Sequence, residues 1–237
     1  RLVLEAYTRQ TDKDFSVTIA DDGSGPAIRE LVEQYQERGL NVRHVWHEDK
    51  GFRRAEILNK AIAKSSAEYI IFSDNDCMPQ QEFIADHKRV AEKGFIVVGR
   101  RVNMNSTLSE RFVEGEYDVS LINRRSWLII NSLCGHINYA EQGLRIPWFL
   151  SRKISRDGIR LLGANAGVWR DDLLAVNGYD SDFIGYGMAD TDIELRLLAL
   201  GLRSHSMKGR GCVVHLYHPE RRKTQRNEEI MKDRQAK

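Results

Sequence analysis

The sequence predicts an α/β fold in which a mostly parallel central sheet is flanked by helices on both faces. Two observations carry this prediction. Short β-branched, apolar runs alternate with longer amphipathic runs between residues 12 and 100. The chain also has 237 residues, 41% of them hydrophobic and 30% charged, which is enough to bury the core of one large domain without disulfides.

The first elements follow from their local patterns. "RLVLEAYTRQ" can form a helix, and "FSVTIADDGS" is a β-branched run that ends in turn residues. The next run, "GPAIRELVEQYQERGL", predicts a helix. We expect Ser24 to be its N-cap, Pro26 to lie in its first turn and Gly39 to end it. The apolar residues of this run share one helical face; they are Ile28, Leu31, Val32 and Tyr35.

The alternation continues to residue 100. The expected strands are "NVRHVWH", "EYIIFS" and "FIVVGR", and the expected helices are "RRAEILNKAIAKSS" and "QEFIADHKRVAEKG". Residues 103–160 lack this alternation of strand and helix patterns, and we expect an irregular or helical insertion there. The pattern resumes with "GANAGVWRDDLLAVNGYD", "DTDIELRLLALG" and the strand "GCVVHLYHP".

We expect four consecutive functional ranges. Residues 1–102 form a ligand-binding half, 103–160 an insertion, 161–220 the second half of the same domain, and 221–237 a charged C-terminal helix or tail. The arginines of this last range can lie on a solvated face or bind phosphate.

Charge and cysteine usage limit the class of protein. The net charge is +2, which predicts no nucleic-acid partner. The three cysteines, Cys77, Cys134 and Cys212, form no CxxC pair, so we expect a reducing, cytoplasmic compartment. We also expect neither a signal peptide nor a membrane span, although the abrupt start at "RLVLEAYTRQ" leaves room for a segment upstream.

Carboxylates follow two of the expected strands. Asp21 and Asp22 come after "SVTIA", and Asp74 and Asp76 come after "YIIFS". In open parallel sheets ligands bind at the carboxyl ends of strands, so both pairs should lie on one rim. Residues i and i+2 of an extended strand point the same way, which lets Asp74 and Asp76 face one ligand. Mg²⁺ or Mn²⁺ held against a diphosphate would relieve their repulsion, while a simple polar turn is the alternative.

Two arginines begin the helix after "DKGF". Arg53 and Arg54 lie where a helix N-terminus can seat a diphosphate. The alternative is an ordinary solvated helix face.

Five motifs, taken in order, resemble family 2 glycosyltransferases of the GT-A fold. They are "VTIADDGSG", "DKGFRRAEILNKAI", "EYIIFSDNDCMP", "GANAGVWRDDLLAVNGYDSDFIGYGMADTDIELRLLALG" and "HLYHP", and together they cover about residues 12–100 and 160–220. The chain looks similar to members with a galactosyltransferase-like C-terminal segment, such as bacterial chondroitin-type polymerases and capsule or lipopolysaccharide transferases.

The resemblance implies roles for the acidic residues. Asp74 and Asp76 would hold Mn²⁺ or Mg²⁺ against the diphosphate of a UDP-sugar, with Asp76 as the direct ligand. Asp21 or Asp22 would contact uracil or ribose, with Asp22 favoured. A late histidine often completes the metal site, and of His215 and His218 we expect His215 because it fits the strand end better. The other histidines are expected to be structural.

The resemblance also implies that Asp190 is the catalytic base, which removes the proton of the acceptor hydroxyl in an inverting transfer. Its position in the first helical turn favours the ionised form. Tyr186 and Trp169 are candidates for stacking on the acceptor sugar; a role as core aromatics is the alternative. Three features depart from the family pattern: Ala189 replaces a glutamate, Leu58 replaces a frequent arginine, and the first strand is missing.

The expected function is therefore an inverting, metal-dependent transfer of a sugar to a saccharide or lipid-linked acceptor in cell-surface polysaccharide synthesis. The basic and aromatic segments "NRRSWLIIN" and "IPWFLSRK" of the insertion could touch a membrane surface, which would make the protein peripheral to the membrane. The rival functions are a nucleotide-sugar-binding relative without turnover, favoured by Ala189, and a sugar-nucleotide nucleotidyltransferase, which requires a glycine-rich basic loop after the first strand.

Overall fold

Helices and strands alternate through the first hundred residues, as the sequence predicts. The computed structural model describes residues 1–235. The strands are β1 (Val17–Asp21), β2 (Val42–Trp46), β3 (Tyr69–Ser73), β4 (Cys77–Pro79), β5 (Phe95–Val98), β6 (Arg100–Met104), β7 (Ile137–Asn138), β8 (Asn165–Trp169), β9 (Arg203–Ser206) and β10 (Cys212–His215). The helices are α1 (Leu2–Thr8), α2 (Pro26–Glu37), α3 (Arg54–Lys64), α4 (Phe83–Val90), α5 (Ser106–Val113), α6 (Arg125–Leu133), α7 (Ala140–Gly143), α8 (Trp148–Ile154), α9 (Arg170–Ala175), α10 (Ala189–Ala199) and α11 (Gln225–Gln235), and a 3₁₀ turn spans Val119–Asn123.

The chain forms two compact units that interleave in sequence. Unit 1 comprises Arg1–Asp14, Ile71–Val168 and Arg203–Pro219, and unit 2 comprises Phe15–Ile70, Trp169–Leu202 and the chain from Glu220. The four functional ranges expected from the sequence remain a prediction, because they divide the chain by role and not by compactness.

Unit 1 contains most of the strands. One sheet has the order β4-β10-β6-β7 and the other has the order β3-β8-β5-β9. The pairs β10·β6 and β5·β9 are parallel, whereas β10·β4, β5·β8 and β6·β7 are antiparallel. The α/β class is confirmed, and the pairing is more mixed than the expected mostly parallel sheet because short return strands such as β4 and β7 enter it.

The core of unit 1 lies between β6, β10 and the helices of the 103–160 segment. Its buried side chains include Met78, Val102, Phe112, Leu128 and Val214. The insertion is helical, as expected, and α5 and α6 each direct apolar residues into this core. Burial of such side chains contributes about 1.5–3 kcal/mol each, so the insertion is an integral layer of the unit.

Unit 2 is built on the parallel pair β1·β2, with α2 and α3 packed against it. The register pairs Val17 with Val42 and Asp21 with Trp46, so both strands end at the same edge. Helix α2 begins at Pro26 with Gly25 as its N-cap, so the expectation that Ser24 is the cap was wrong. The backbone N–H of Ser24 instead donates to Asp21 Oδ1 at 2.8 Å, in the turn that precedes the helix.

The C-terminal segment is a helix, α11, over most of the predicted range 221–237. Its Arg234 forms ion pairs with Asp180 and Asp192 of unit 2, so the helix is anchored rather than free in solvent. Residues 236 and 237 of that prediction lie outside the described residues.

Candidate active site

Unit 1 brings Asp76 together with two histidines. Strand β10 pairs antiparallel with β4, and this register sets His215 opposite Cys77, the residue after Asp76. His215 Nε2 lies 3.6 Å from Asp76 Oδ1, and His218 Nε2 lies 3.3 Å from Asp76 Oδ2. The backbone N–H of Leu216 donates to the Asp76 carbonyl at 2.9 Å, which fixes the two segments against each other.

The donor atoms of this group fit a divalent cation. One oxygen or nitrogen from each of Asp76, His215 and His218 lies within 4.8 Å of the others. Burial alone would raise the pKa of Asp76, but the hydrogen bond and charge of His215, with the charge of His218, hold the pKa below its usual value. Asp76 is therefore a carboxylate at neutral pH, the form that binds metal. A mixed carboxylate and imidazole set suits Mn²⁺ better than Mg²⁺.

A second group, which shares Asp76, is a poorer candidate. Asp74, Asp76 and Cys77 also have donor atoms within 4.8 Å of one another. Burial, together with the charges of Asp76 and Asp74, raises the pKa of the Cys77 thiol far above its usual value. A protonated thiol is a weak ligand, so Cys77 is a buried apolar residue here and Asp74 stands beside Asp76 as a second carboxylate.

The sequence prediction named one of the two histidines that lie beside Asp76. It favoured His215 over His218, whereas the structure places both imidazoles at Asp76, with ring centroids 5.0 Å apart. The dipeptide between them turns the chain after β10, so His218 returns to the same carboxylate. The "HLYH" spacing was the only signal in the sequence, and a straight continuation of the strand would have separated the two rings.

In unit 2 the Asp21 carboxylate is held by its neighbours. Asp21 is buried, its Oδ1 accepts from the N–H of Ser24, and its Oδ2 lies 2.7 Å from His44 Nε2. Burial alone would raise the pKa of Asp21, but the Ser24 and His44 hydrogen bonds lower it below the usual value. Asp21 therefore stays ionised and stiffens the loop after β1.

Asp22 is fixed in a similar way but is more accessible. Its Oδ1 contacts His47 Nε2, and its Oδ2 accepts from the backbone N–H of Arg53 at 2.6 Å. The Asp22 side chain is 21% exposed, against 3% for Asp21. Of the two carboxylates, Asp22 is the one that a ligand can reach.

His44 and His47 were expected to be structural, and in the structure they contact the carboxylates of Asp21 and Asp22, respectively. The parallel register of β1 and β2 ends with Asp21 opposite Trp46, so the next residues, Asp22 and His47, also come together. Lys60 Nζ lies 3.0 Å from the second ring nitrogen of His47. No local motif marks these partners, because they lie 23 to 25 residues from the aspartates.

The two arginines at the N-terminus of α3 have different partners. The Arg53 guanidinium contacts Glu56 at 2.9 Å and the backbone carbonyl of Glu48. Arg54 Nη1 donates to Asp190 Oδ1 at 2.9 Å. The structure therefore joins a residue predicted to bind diphosphate to the predicted base, a pairing that the sequence does not reveal.

Asp190 and Asp192 occupy the first turn of α10 in different surroundings. The Asp190 side chain is 37% exposed, whereas that of Asp192 is 4% exposed and bonds Arg196 and Arg234. Met188, the N-cap, has a φ of 70°, so the chain turns sharply into the helix just before Ala189. Asp192 anchors the helix, and Asp190 remains accessible.

The candidate acceptor contacts differ from each other. Tyr186 is 45% exposed and lies between Gly185 and Gly187, both with positive φ. Trp169 instead packs edge-on against Tyr69, the first residue of β3, with ring centroids 5.4 Å apart. This contact favours the packing alternative for Trp169 over a contact with an acceptor.

Comparison with protein families decides the class. The model described as glycosyl transferase family 2 matches residues 1–142, which is more than half of the chain. The chain belongs to glycosyl transferase family 2. A second model, the N-terminal domain of galactosyltransferase, matches residues 151–219 of this glycosyltransferase. Both parts of the resemblance expected from the sequence are confirmed.

Curated relatives of the glycosyltransferase include two kinds of enzyme. Chondroitin synthase of Escherichia coli is 23% identical over 223 residues, which cover 90% of this chain and 31% of the relative. Validoxylamine A glucosyltransferase of Streptomyces hygroscopicus subsp. jinggangensis is 26% identical over 218 residues, which cover 84% and 48%. The chain spans about a third to a half of these relatives.

Solved structures confirm the GT-A fold. The mannosyltransferase PcManGT from Pyrobaculum calidifontis, in complex with GDP-Man and Mn²⁺, has a TM-score of 0.58 at 18% identity, covering 93% of this chain and 54% of that one. GalNAc-T7 with UDP, GalNAc and Mn²⁺ has a TM-score of 0.63 at 12% identity, covering 91% and 40%. S. aureus TarS 1–349 with UDP has a TM-score of 0.62 at 14% identity, covering 92% and 56%.

Proposed function

We propose that this glycosyltransferase moves a sugar from a UDP-sugar to a hydroxyl of a saccharide or lipid-linked saccharide, with inversion at the anomeric carbon and with a divalent cation, in cell-surface polysaccharide synthesis. The observation that carries the proposal is the convergence of Asp76, His215 and His218 on one point of unit 1. Family membership supplies the reaction class, and this group supplies the reason to expect metal dependence.

Asp76, His215 and His218 would hold the cation, preferably Mn²⁺. When bound, the ion neutralises the charge that develops on the departing nucleoside diphosphate. Asp74, next to Asp76, would bind the ribose or a metal-bound water. Solved GT-A relatives that contain Mn²⁺ together with GDP-Man or with UDP support a nucleotide-sugar donor, and the choice of UDP is part of the proposal.

Asp190 would remove the proton of the acceptor hydroxyl as the new C–O bond forms. Its exposure in the first turn of α10 leaves it within reach of an acceptor. Arg54 orients the carboxylate through Oδ1. Asp22 would contact uracil or ribose, with His47 and the Arg53 backbone fixing its direction.

Arg53 would lie against the diphosphate only after exchanging its contacts with Glu56 and Glu48, so we assign it the weaker part in donor binding. Tyr186, exposed between two glycines, would stack on the acceptor sugar, and Trp169 has no part in the proposal.

The test is turnover of UDP-sugars with and without MnCl₂. We expect EDTA to abolish UDP release, and Asp76→Asn to lower it at least ~100-fold, because the cation loses its carboxylate ligand. His205→Asn is the matched control, since His205 lies on β9, pairs with Asp157 away from Asp76, and should leave activity intact when replaced. An Asp76→Asn enzyme with full metal-dependent activity would refute the site.

The same reaction tests two further points: the configuration of the product tests inversion, and UDP release tests the rival function. Proton NMR of the product should show the anomeric configuration opposite to that of the donor, and retention would contradict the role of Asp190. Ala189 favours a binding module without turnover as the second candidate. Calorimetric binding of UDP with Mn²⁺, without UDP release from any donor and acceptor pair, would select that candidate.

A further inference from the structure

Helix α6 exposes an apolar ridge. Ile129, Ile130 and Leu133 are 46%, 57% and 84% exposed, although Leu128 of the same helix is fully buried. The spacing of one, then three, residues sets these three side chains on one helical face, opposite the face that enters the core. We name these three residues the α6 ridge.

Helix α8 repeats the arrangement. Phe149, Leu150 and Ile154 are 70%, 40% and 44% exposed, while Ser151 is buried and donates from its hydroxyl to the carbonyl of Lys208 at 2.7 Å. Phe149, Leu150 and Ile154 form the α8 ridge. Lys153 lies on the same outward face, so a basic side chain is set among the apolar ones.

The two ridges belong to one continuous stretch of unit 1. The Arg125 guanidinium, in the first residue of α6, donates to the backbone carbonyl of Arg145, three residues before α8. Helix α7, between them, packs against the buried side of α6, where a Cβ at Gly143 would lie 3.2 Å from Leu128. The N-terminal end of α6 therefore lies against the segment that leads into α8.

This stretch also concentrates positive charge. Residues 119–156 contain six Lys and Arg side chains and one acidic side chain, Glu141, which gives a net charge of +5. The whole chain has a net charge of +2, so the remainder carries −3. Exposed basic residues flank both ridges; they are Arg124, Arg125, Arg152, Lys153 and Arg156.

We propose that the α6 and α8 ridges bind an anionic lipid bilayer, with the apolar side chains entering the headgroup region and the basic side chains pairing with lipid phosphates. Apolar ridges bordered by Lys and Arg are what an interfacial helix requires. A second copy of the same face is disfavoured, because two faces that are both bordered by exposed Lys and Arg side chains repel each other. Among residues 1–235 no helix has the length and hydropathy to cross a bilayer.

The test is co-sedimentation of the protein with two kinds of vesicle, phosphatidylcholine alone and phosphatidylcholine with about a quarter phosphatidylglycerol. We expect binding to the anionic vesicles that weakens as NaCl is raised, and weaker binding to the neutral ones. Phe149→Ser/Leu150→Ser and Ile130→Ser/Leu133→Ser should each lower partitioning by ~tenfold, since each pair removes two inserted side chains. Arg152→Gln/Lys153→Gln should remove the preference for anionic lipid.

Leu174→Ser is the matched control, because Leu174 is 47% exposed on α9 of unit 2 and should not affect partitioning. Thermal melts that are unchanged in the ridge variants would show that they are folded. The proposal is overturned by absence of binding to anionic vesicles, by equal binding of the ridge variants and the wild type, or by a self-association in sedimentation velocity that the ridge variants abolish. These outcomes do not depend on sugar transfer, so they are separate from the proposed function.

Discussion

The buried His87 makes the stability of the fold depend on pH between about pH 6.5 and pH 4. The ring, fully buried on α4, packs edge-on against Phe83 with centroids 4.7 Å apart. Its Nε2 lies 2.8 Å from Asn165 Oδ1, whose amide nitrogen donates to the carbonyls of Arg100 and Gly211. Nε2 therefore carries the proton of the neutral imidazole.

Burial lowers the pKa of His87 from 6.5 to about 4, against the hydrogen bond to Asn165 and the charge of Asp86, which both raise it. Between these values the unfolded chain binds a proton that the folded chain does not. Stability that is present above pH 6.5 is therefore lost as the pH falls to about 4. The difference of 2.5 pH units, at about 1.4 kcal/mol each, corresponds to roughly 3.5 kcal/mol over the whole titration. Roughly 3 kcal/mol of this is lost by pH 4, because the folded-state group is then about half protonated.

The measurement is urea unfolding at several pH values between 7.5 and 4, on the wild type and on His87→Gln. The glutamine keeps a donor for Asn165 but cannot titrate. We expect the free energy of unfolding of the wild type to fall by roughly 3 kcal/mol more than that of the variant across the window. Carboxylates with lowered pKa, such as Asp76, lose their contribution mainly below this window and do so in both proteins. Parallel pH curves for the two proteins would refute the buried neutral histidine.

Three further outcomes are expected. Arg54→Met should lower UDP-sugar turnover ~tenfold, because Asp190 loses the group that orients it, and Arg54→Lys should restore part of the activity. Since the ion pair is about a third exposed, the free energy of unfolding in urea should change by less than ~1 kcal/mol. Gly178→Ala should lower the free energy of unfolding by ~2 kcal/mol or more, since φ is +66° and the new Cβ would lie 2.3 Å from Asn59 Oδ1; an unchanged melting temperature would contradict this. In the native protein a thiol reagent should modify the exposed Cys134 and leave the buried Cys77 and Cys212 unmodified. Reaction of all three cysteines without denaturant would contradict the packing of β4 and β10.

Much of the fold follows from the periodicity of local sequence runs. The run "SVTIA" and the helix from Pro26 to Glu37 each have an apolar period that matches their structure. The carboxylates after β1 and β3 were found for a related reason: a polar pair after an apolar run marks the end of a strand. These patterns depend only on residues that are close in sequence, so they can be recognised without knowledge of the tertiary contacts.

The elements that the sequence missed have no such local signal. Strand β9 reads "RSHS", and it is a strand because it pairs in parallel with the apolar β5. Strand β4 has three residues, and its pairing with β10 brings His215 to Asp76. Tertiary pairing decides these elements, so neither composition nor period predicts them.

The first turn of α10 shows the same limit at the site itself. Asp190 and Asp192 are two residues apart and both lie in the first turn of the helix, so the sequence separates them only by resemblance. In the structure Arg196 and Arg234 enclose the buried Asp192, and removing its charge would leave Arg196 without its carboxylate partner and Arg234 with Asp180 alone. Asp190 has Arg54 on one side and solvent on the other. Because proton transfer requires contact with a substrate, the exposed member of the pair is the one we propose as the base, and the buried member anchors the helix that carries both.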